Sequence, residues 1–200
     1  MKNNILIQMQ NIIKDNFASM KSVLDEFSTG DNFEKISRAG ELMAKSIAGG
    51  GQVIACGNGG SLSDSMHFAE ELTGRFRKNR RPLPAVAITD PAYITCVAND
   101  FGYSQIFSRY VEAYGKEGDT LLAITTSGSS ENVVEAARMA ESKGMNVVSL
   151  TGKGGGVIGK YSDVEIRVPR TDFSDRAQEI HIKVIHTLCQ LIERHLGVDE

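Results

Sequence analysis

In the stretch Ser65-Met66-His67-Phe68-Ala69-Glu70-Glu71-Leu72, a histidine and a glutamate stand four residues apart. On a helix that spacing puts both side chains on one face. Such a pair suits two ligands of one metal, or a ligand beside a base; it also suits a plain surface pair. The H-E-x-x-H pattern is absent, because Phe68 follows His67 and position 71 is Glu. A second histidine, His186, lies between Ile185 and Leu188 in an apolar stretch. A buried, satisfied histidine is one reading there. The other is acid–base work, since histidine titrates near neutrality. Asn99-Asp100-Phe101-Gly102 offers a further carboxylate in a sequence that equally suits a turn.

Two loops could hold phosphate. Cys56-Gly57-Asn58-Gly59-Gly60-Ser61 follows an apolar run and opens a helical pattern. Glycines let the backbone turn and approach a ligand, and the helix start behind them offers unpaired N–H groups with positive partial charge. Thr125-Thr126-Ser127-Gly128-Ser129-Ser130 repeats the arrangement with hydroxyls. Neither ends in G-K-[ST], and neither has G-x-G-x-x-G spacing, so mononucleotide and dinucleotide fingerprints are excluded. A third glycine run, Gly152-Lys153-Gly154-Gly155-Gly156, reads as a tight connection.

These residues need a frame. Ile5, Met9, Ile12, Ile13, Phe17, Met20, Leu24 and Phe27 recur at helical steps, and a second helix runs from Phe33 to Ile47 before three glycines. The period then changes. Short apolar runs at 52–55, 85–89, 120–125, 146–150 and 164–168 alternate with helical stretches at 61–72, 91–99 with 104–114, 130–143, 157–161 and 175–196. Alternation of this kind predicts an α/β fold, a doubly wound, mainly parallel five-stranded sheet flanked by helices. We expect a single domain over 1–200, with a helical pair at 1–50 used in packing and oligomerisation and an α/β core at 51–200. Both phosphate-type loops would then lie at the carboxyl ends of strands, where such sheets bind ligands.

Composition agrees with this reading. The chain has 200 residues, 41% hydrophobic and 24% charged, with net charge −3. There is no polybasic footprint of a nucleic-acid binder; the densest basic run, Arg75, Arg77, Lys78, Arg80 and Arg81, reads as a solvated loop or as a rim that attracts anions. Three cysteines with no C-x-x-C argue against a disulfide framework and for a reducing compartment. No signal peptide is evident, and no apolar run approaches the ~20 residues that span a bilayer. The expected setting is the cytoplasm, with no membrane and no nucleic-acid partner.

Taken together, the motifs resemble those of the phosphoheptose isomerases of the sugar isomerase (SIS) fold. The likeness rests on the glycine loop, on Met66-His67-Phe68-Ala69-Glu70-Glu71-Leu72-Thr73-Gly74-Arg75, on Asn99-Asp100-Phe101-Gly102, on Thr126-Ser127-Gly128, on Leu150-Thr151-Gly152-Lys153 and on Arg176-Ala177-Gln178-Glu179-Ile180-His181. It covers nearly the whole chain. Departures are small: Leu62 and Ser63, and Thr125-Thr126 with Ser129.

The resemblance implies conversion of sedoheptulose 7-phosphate to glycero-manno-heptose 7-phosphate, a first step toward the heptose of lipopolysaccharide or related glycans. It implies one zinc per subunit on His67, Glu71, Gln178 and His186, catalysis by Glu71 as base and His186 as acid, and a homotetramer with sites at subunit interfaces. Substrate contacts carry over onto Asn58, Gly59, Gly60, Ser61, Glu71, Asn99, Asp100, Thr125, Thr126, Ser127, Ser130 and Gln178. Gln178 and His186 are eight residues apart, ~12 Å along a straight helix. Both reach one metal only if Gln178 precedes the regular helix, or if two subunits share the site. The rival reading is a non-catalytic SIS-fold binding protein, such as a factor that associates with a replication initiator; a sugar-phosphate-sensing regulator would need a further DNA-binding domain. The presence of both Glu71 and His186 favours the enzyme.

Overall fold

The computed structural model describes residues 2–169 and 171–199. Five parallel strands, β1 (Val53–Gly57), β2 (Ala85–Ala87), β3 (Thr120–Thr125), β4 (Asn146–Thr151) and β5 (Val164–Arg167), form one sheet in the order β2-β1-β3-β4-β5. β1 and β3 are buried along their whole length, which is why they read as unbroken apolar runs. Alternate residues still serve opposite faces. Val53, Ala55, Leu122 and Ile124 pack with helices α2 (Asn32–Ala48), α3 (Gly60–Thr73) and α7 (Ser174–His195). Ile54, Cys56, Leu121 and Ala123 pack with α4 (Pro91–Phe101), α5 (Ser108–Tyr114) and α6 (Glu131–Ser142). The sheet is doubly wound, as the alternation of elements predicts.

The strand order reverses between β1 and β3. To one side of that gap the chain crosses to β2, to the other side to β4 and β5. The loops that leave β1 and β3 therefore splay apart and open a crevice at the carboxyl end of the sheet. The expected strand at 85–89 is shorter, ending at Ala87, because the chain there turns to let Asp90 cap α4: its carboxylate accepts from the Tyr93 N–H at 2.7 Å, with Pro91 in the first turn. The expected helix at 104–114 is broken into a 3₁₀ turn at Tyr103–Gln105 followed by α5.

The leading helix pair divides in behaviour. α2 buries Ile36, Ala39, Met43 and Ile47 against the sheet and α7. α1 (Lys2–Phe27) touches the core only near its end, through Met20, Val23 and Phe27. Ile5, Leu6, Ile7, Met9, Ile12, Ile13 and Phe17 are exposed, Phe17 by 76%.

Candidate active site at the switch point

α3 starts directly after the glycine loop. Gly59 sits at φ +56°, a left-handed conformation that only glycine adopts without strain, and this lets the chain leave β1 and enter the helix at Gly60. Along α3, positions 60, 64, 67 and 71 recur at helical spacing and share one face. α7 lies beside α3 and runs in the same direction, with Gln178 against Gly60 and His186 against His67.

At the far end of that contact three side chains converge. His67 Nε2 is 3.2 Å from Glu71 Oε1 and 3.2 Å from His186 Nε2. His186 Nε2 is 3.9 Å from Glu71 Oε1. Among the described residues, this is the only group of three His, Cys, Asp or Glu whose donor atoms converge within 4.8 Å. The histidines are partly open to solvent, at 40% and 36%, while Glu71 is 15% exposed. Phe76 stacks on the His186 ring at 5.8 Å between centroids, covering its other side. The histidine that could have been a mere core residue therefore faces the metal-type pair.

The two loops meet at the same crevice. Asn58 and Asn132 exchange amide hydrogen bonds of 2.9 and 2.8 Å, and the Tyr103 hydroxyl donates to Asn58 Oδ1 at 2.9 Å. This network ties the glycine loop to α6, the helix that the second loop opens. In the second loop Thr125 Oγ1 lies 3.1 Å from Ser130 Oγ and 3.3 Å from Ser127 Oγ, and Ser127 Oγ accepts from the Ser129 N–H at 3.2 Å. Gly128, at φ +65°, passes so close to Gly155 that a side chain has no room. Its carbonyl accepts from the Ile158 N–H at 3.0 Å. The glycine run after β4 is thus a tight connection that braces the second loop, as expected.

Comparison with known proteins decides the family. Residues 16–152 match the SIS domain. Over 188 residues, 94% of this chain and 98% of the relative, the sequence is 55% identical to a phosphoheptose isomerase of Escherichia coli O7:K1. The chain belongs to the phosphoheptose isomerase family. Solved phosphoheptose isomerases agree in fold. One from Neisseria gonorrhoeae superposes with a TM-score of 0.87 at 38% identity, covering 93% of this chain and 99% of that one. One from Francisella tularensis gives 0.88 at 39%, covering 93% and 98%.

Within this phosphoheptose isomerase fold the remaining sequence-derived residues fall as follows. Gln178 lies inside α7, not before it, so the first of the two ways to bring it to His186 on one metal is closed. In this rotamer its amide sits against Gly60, where a Cβ would lie 2.5 Å from Gln178 Nε2. Ser61 is buried below the glycine loop, its carbonyl accepting from Ser65 Oγ at 2.9 Å. Thr126 is half-buried. Asn99 and Asp100 are exposed at the end of α4, where Asn99 Nδ2 donates to Asp100 Oδ1 at 2.7 Å, three residues from the Tyr103 that holds Asn58.

Four residues escaped sequence reasoning. Asp64 lies on the α3 face between the glycine loop and the triad, and its Oδ2 is buried without a partner. Burial pushes its pKa up to about 6, against the pull of His67. The i,i+3 spacing from Asp64 to His67 was the signal that could have found it. Asn132 and Phe76 carry no such signal, because their partners are distant in sequence. Arg80 is the fourth, 3% exposed in an ion pair with Glu193; its membership of a basic run pointed instead to solvent or to a site rim.

Proposed function

We propose that the protein interconverts D-sedoheptulose 7-phosphate and D-glycero-D-manno-heptose 7-phosphate by proton transfer through an enediol, feeding heptose synthesis for lipopolysaccharide or related glycans. The observation that carries this reading is the convergence of His67, Glu71 and His186 beside two phosphate-type loops at the switch point of the sheet. Membership of the family supports the same reaction. The convergence weighs against a binding-only role, which has no need of an acid–base pair aimed at one point.

The donor set fits zinc. Two imidazole nitrogens and a carboxylate oxygen are ligands zinc favours, and its bonds of about 2.0–2.1 Å on a tetrahedron put donor atoms about 3.3 Å apart. The separations of 3.2, 3.2 and 3.9 Å lie close to that edge. When bound, zinc polarises the substrate's carbonyl and hydroxyl oxygens and fixes their geometry. His67, Glu71 and His186 would hold it. Gln178 would serve the substrate at the glycine-loop end, and would join the metal as a fourth ligand from a neighbouring subunit.

The chain's own residues divide the rest. N–H groups at the start of α3 and the hydroxyls of Thr125, Thr126, Ser127 and Ser130 receive the phosphate and the polar end of the sugar. Asn58 is held by Asn132 and Tyr103, so it offers a fixed loop rather than a free amide. Asn99 and Asp100 would take sugar hydroxyls from the α4 side. Glu71 takes a proton from C1 of the ketose and returns it to C2; were zinc held by the triad, one carboxylate oxygen would serve the metal and the other this transfer. The hydroxyl proton passes from O1 to O2 by way of His186, which would also help hold zinc. The bonds made and broken balance, and no redox partner is needed.

We further read the protein as a cytoplasmic homotetramer whose sites lie at subunit interfaces, because the exposed apolar half of α1 calls for a like partner. Purified protein given sedoheptulose 7-phosphate should yield the aldose, followed by proton NMR, and elemental analysis should find one zinc per subunit whose removal by a chelator stops turnover. A failure to form aldose ends the isomerase reading; full activity in metal-free protein ends the zinc reading alone.

A further inference from the structure

Arg80 lies outside the triad, yet its guanidinium holds the backbone of the triad's own helix. Nη2 donates to the Glu71 carbonyl at 2.7 Å, and Nη1 donates to the carbonyls of Leu72 at 2.7 Å, Gly74 at 3.3 Å and Arg81 at 3.1 Å. The first two are carbonyls of the last turn of α3, which have no partners within the helix and carry its negative end. Nε donates to Glu193 Oε1 at 2.7 Å. Both side chains are nearly sealed from solvent, at 3% and 5%. Glu193 stands seven residues after His186 on α7, on the same face of the helix.

We propose that Arg80, paired with Glu193, is a positioning residue for the triad. It fixes the last turn of α3, and the register of α3 on α7, so that the Glu71 carboxylate meets the nitrogens of His67 and His186. The geometry is specific. A planar fork with donors on two sides can bridge helix carbonyls and a carboxylate at once, whereas lysine presents a single point charge. The clamp acts on the very residue whose side chain converges with the histidines, through the carbonyl bonded directly to its Cα. The ion pair is buried, so loss of either partner leaves the other charge uncompensated.

This inference rests on the reading of His67, Glu71 and His186 as the metal site, and the test separates the two. Arg80→Lys and Glu193→Gln would be compared with wild type for zinc affinity, by competition with a chromophoric chelator, and for kcat and KM, at a temperature where circular dichroism shows each fully folded. Val133→Ala, a cavity substitution in the opposite core, serves as a control of purely structural loss. We expect the two clamp variants to lose about tenfold or more in zinc affinity and kcat, the range for residues that orient metal ligands, with KM held within about twofold. The control should lower the melting temperature and leave zinc affinity unchanged. If both clamp variants melt earlier but keep wild-type zinc affinity and kcat, the positioning role is wrong. If wild type turns over without metal, the zinc reading falls by itself, and the clamp is then decided by kcat alone.

Discussion

The fold brings Glu71 and His186, the proposed acid–base groups, to one point, and each is expected to be indispensable. Glu71→Gln and His186→Gln keep size and shape while removing the titrating group. General acid–base catalysis contributes about 10²–10⁴ in rate, so turnover should fall by that much or more while the circular dichroism spectrum stays that of wild type. Near-wild-type kcat in either variant would remove that residue from its role. At this scale the sequence was legible where partners are local. His67 and Glu71 are four residues apart, and helical spacing alone puts them on one face. His186 is 119 residues from His67, and nothing but the packing of α7 on α3 says that they touch. Arg80 illustrates the converse. A basic run suggests solvent, but one member turned inward because α3 ended with open carbonyls and Glu193 lay opposite.

The elements were legible through their periods. Helical stripes and short apolar runs located the strands and nearly all helices, and the glycine loops marked where the turns of the switch point leave the sheet. The strand order was not, since register depends on contacts between runs that look alike. One link between elements has a measurable cost. His181 on α7 is fully buried and donates from Nε2 to the Thr151 carbonyl at the end of β4, at 3.1 Å, while its Nδ1 has no partner. Burial lowers its pKa from 6.5 to about 4. The folded state therefore holds this ring neutral while the unfolded chain takes up a proton. The sign follows: nothing is lost above pH 6.5, and stability falls as pH drops from 6.5 towards 4, by about 3 kcal/mol at 1.36 kcal/mol per pKa unit. His181→Gln keeps a donor for Thr151 without a titrating group. Urea unfolding of both proteins between pH 7 and 4.5 should show the wild type losing more stability than the variant; parallel curves would refute the assignment.

At the scale of the whole molecule, α1 dominates. Its first turns were expected to need a partner, and in the monomer they are bare. Static light scattering at micromolar concentration should report a mass near four chains, each of 21.7 kDa. A monodisperse, fully active monomer would end that reading. Mixing adds a second check, and here the structure sharpens the expectation. Glu71 and His186 of one chain already lie 3.9 Å apart. Oligomers mixed from Glu71→Gln and His186→Gln chains should therefore stay inactive, because every site carries one defect; regained turnover would mean that the pair is assembled across chains.

If like chains cover it, the bare half of α1 also ties folding to abundance. A protomer that leaves Ile5, Leu6, Met9, Ile12, Ile13 and Phe17 in water is a poor resident of solution on its own. Whatever covers that stripe stabilises the folded state by mass action, so the chain's apparent stability belongs to its population and not to a single copy. On the tetramer reading, a newly made chain is unfinished until it meets others. Scarcity, as much as mutation, would then be a way to lose it.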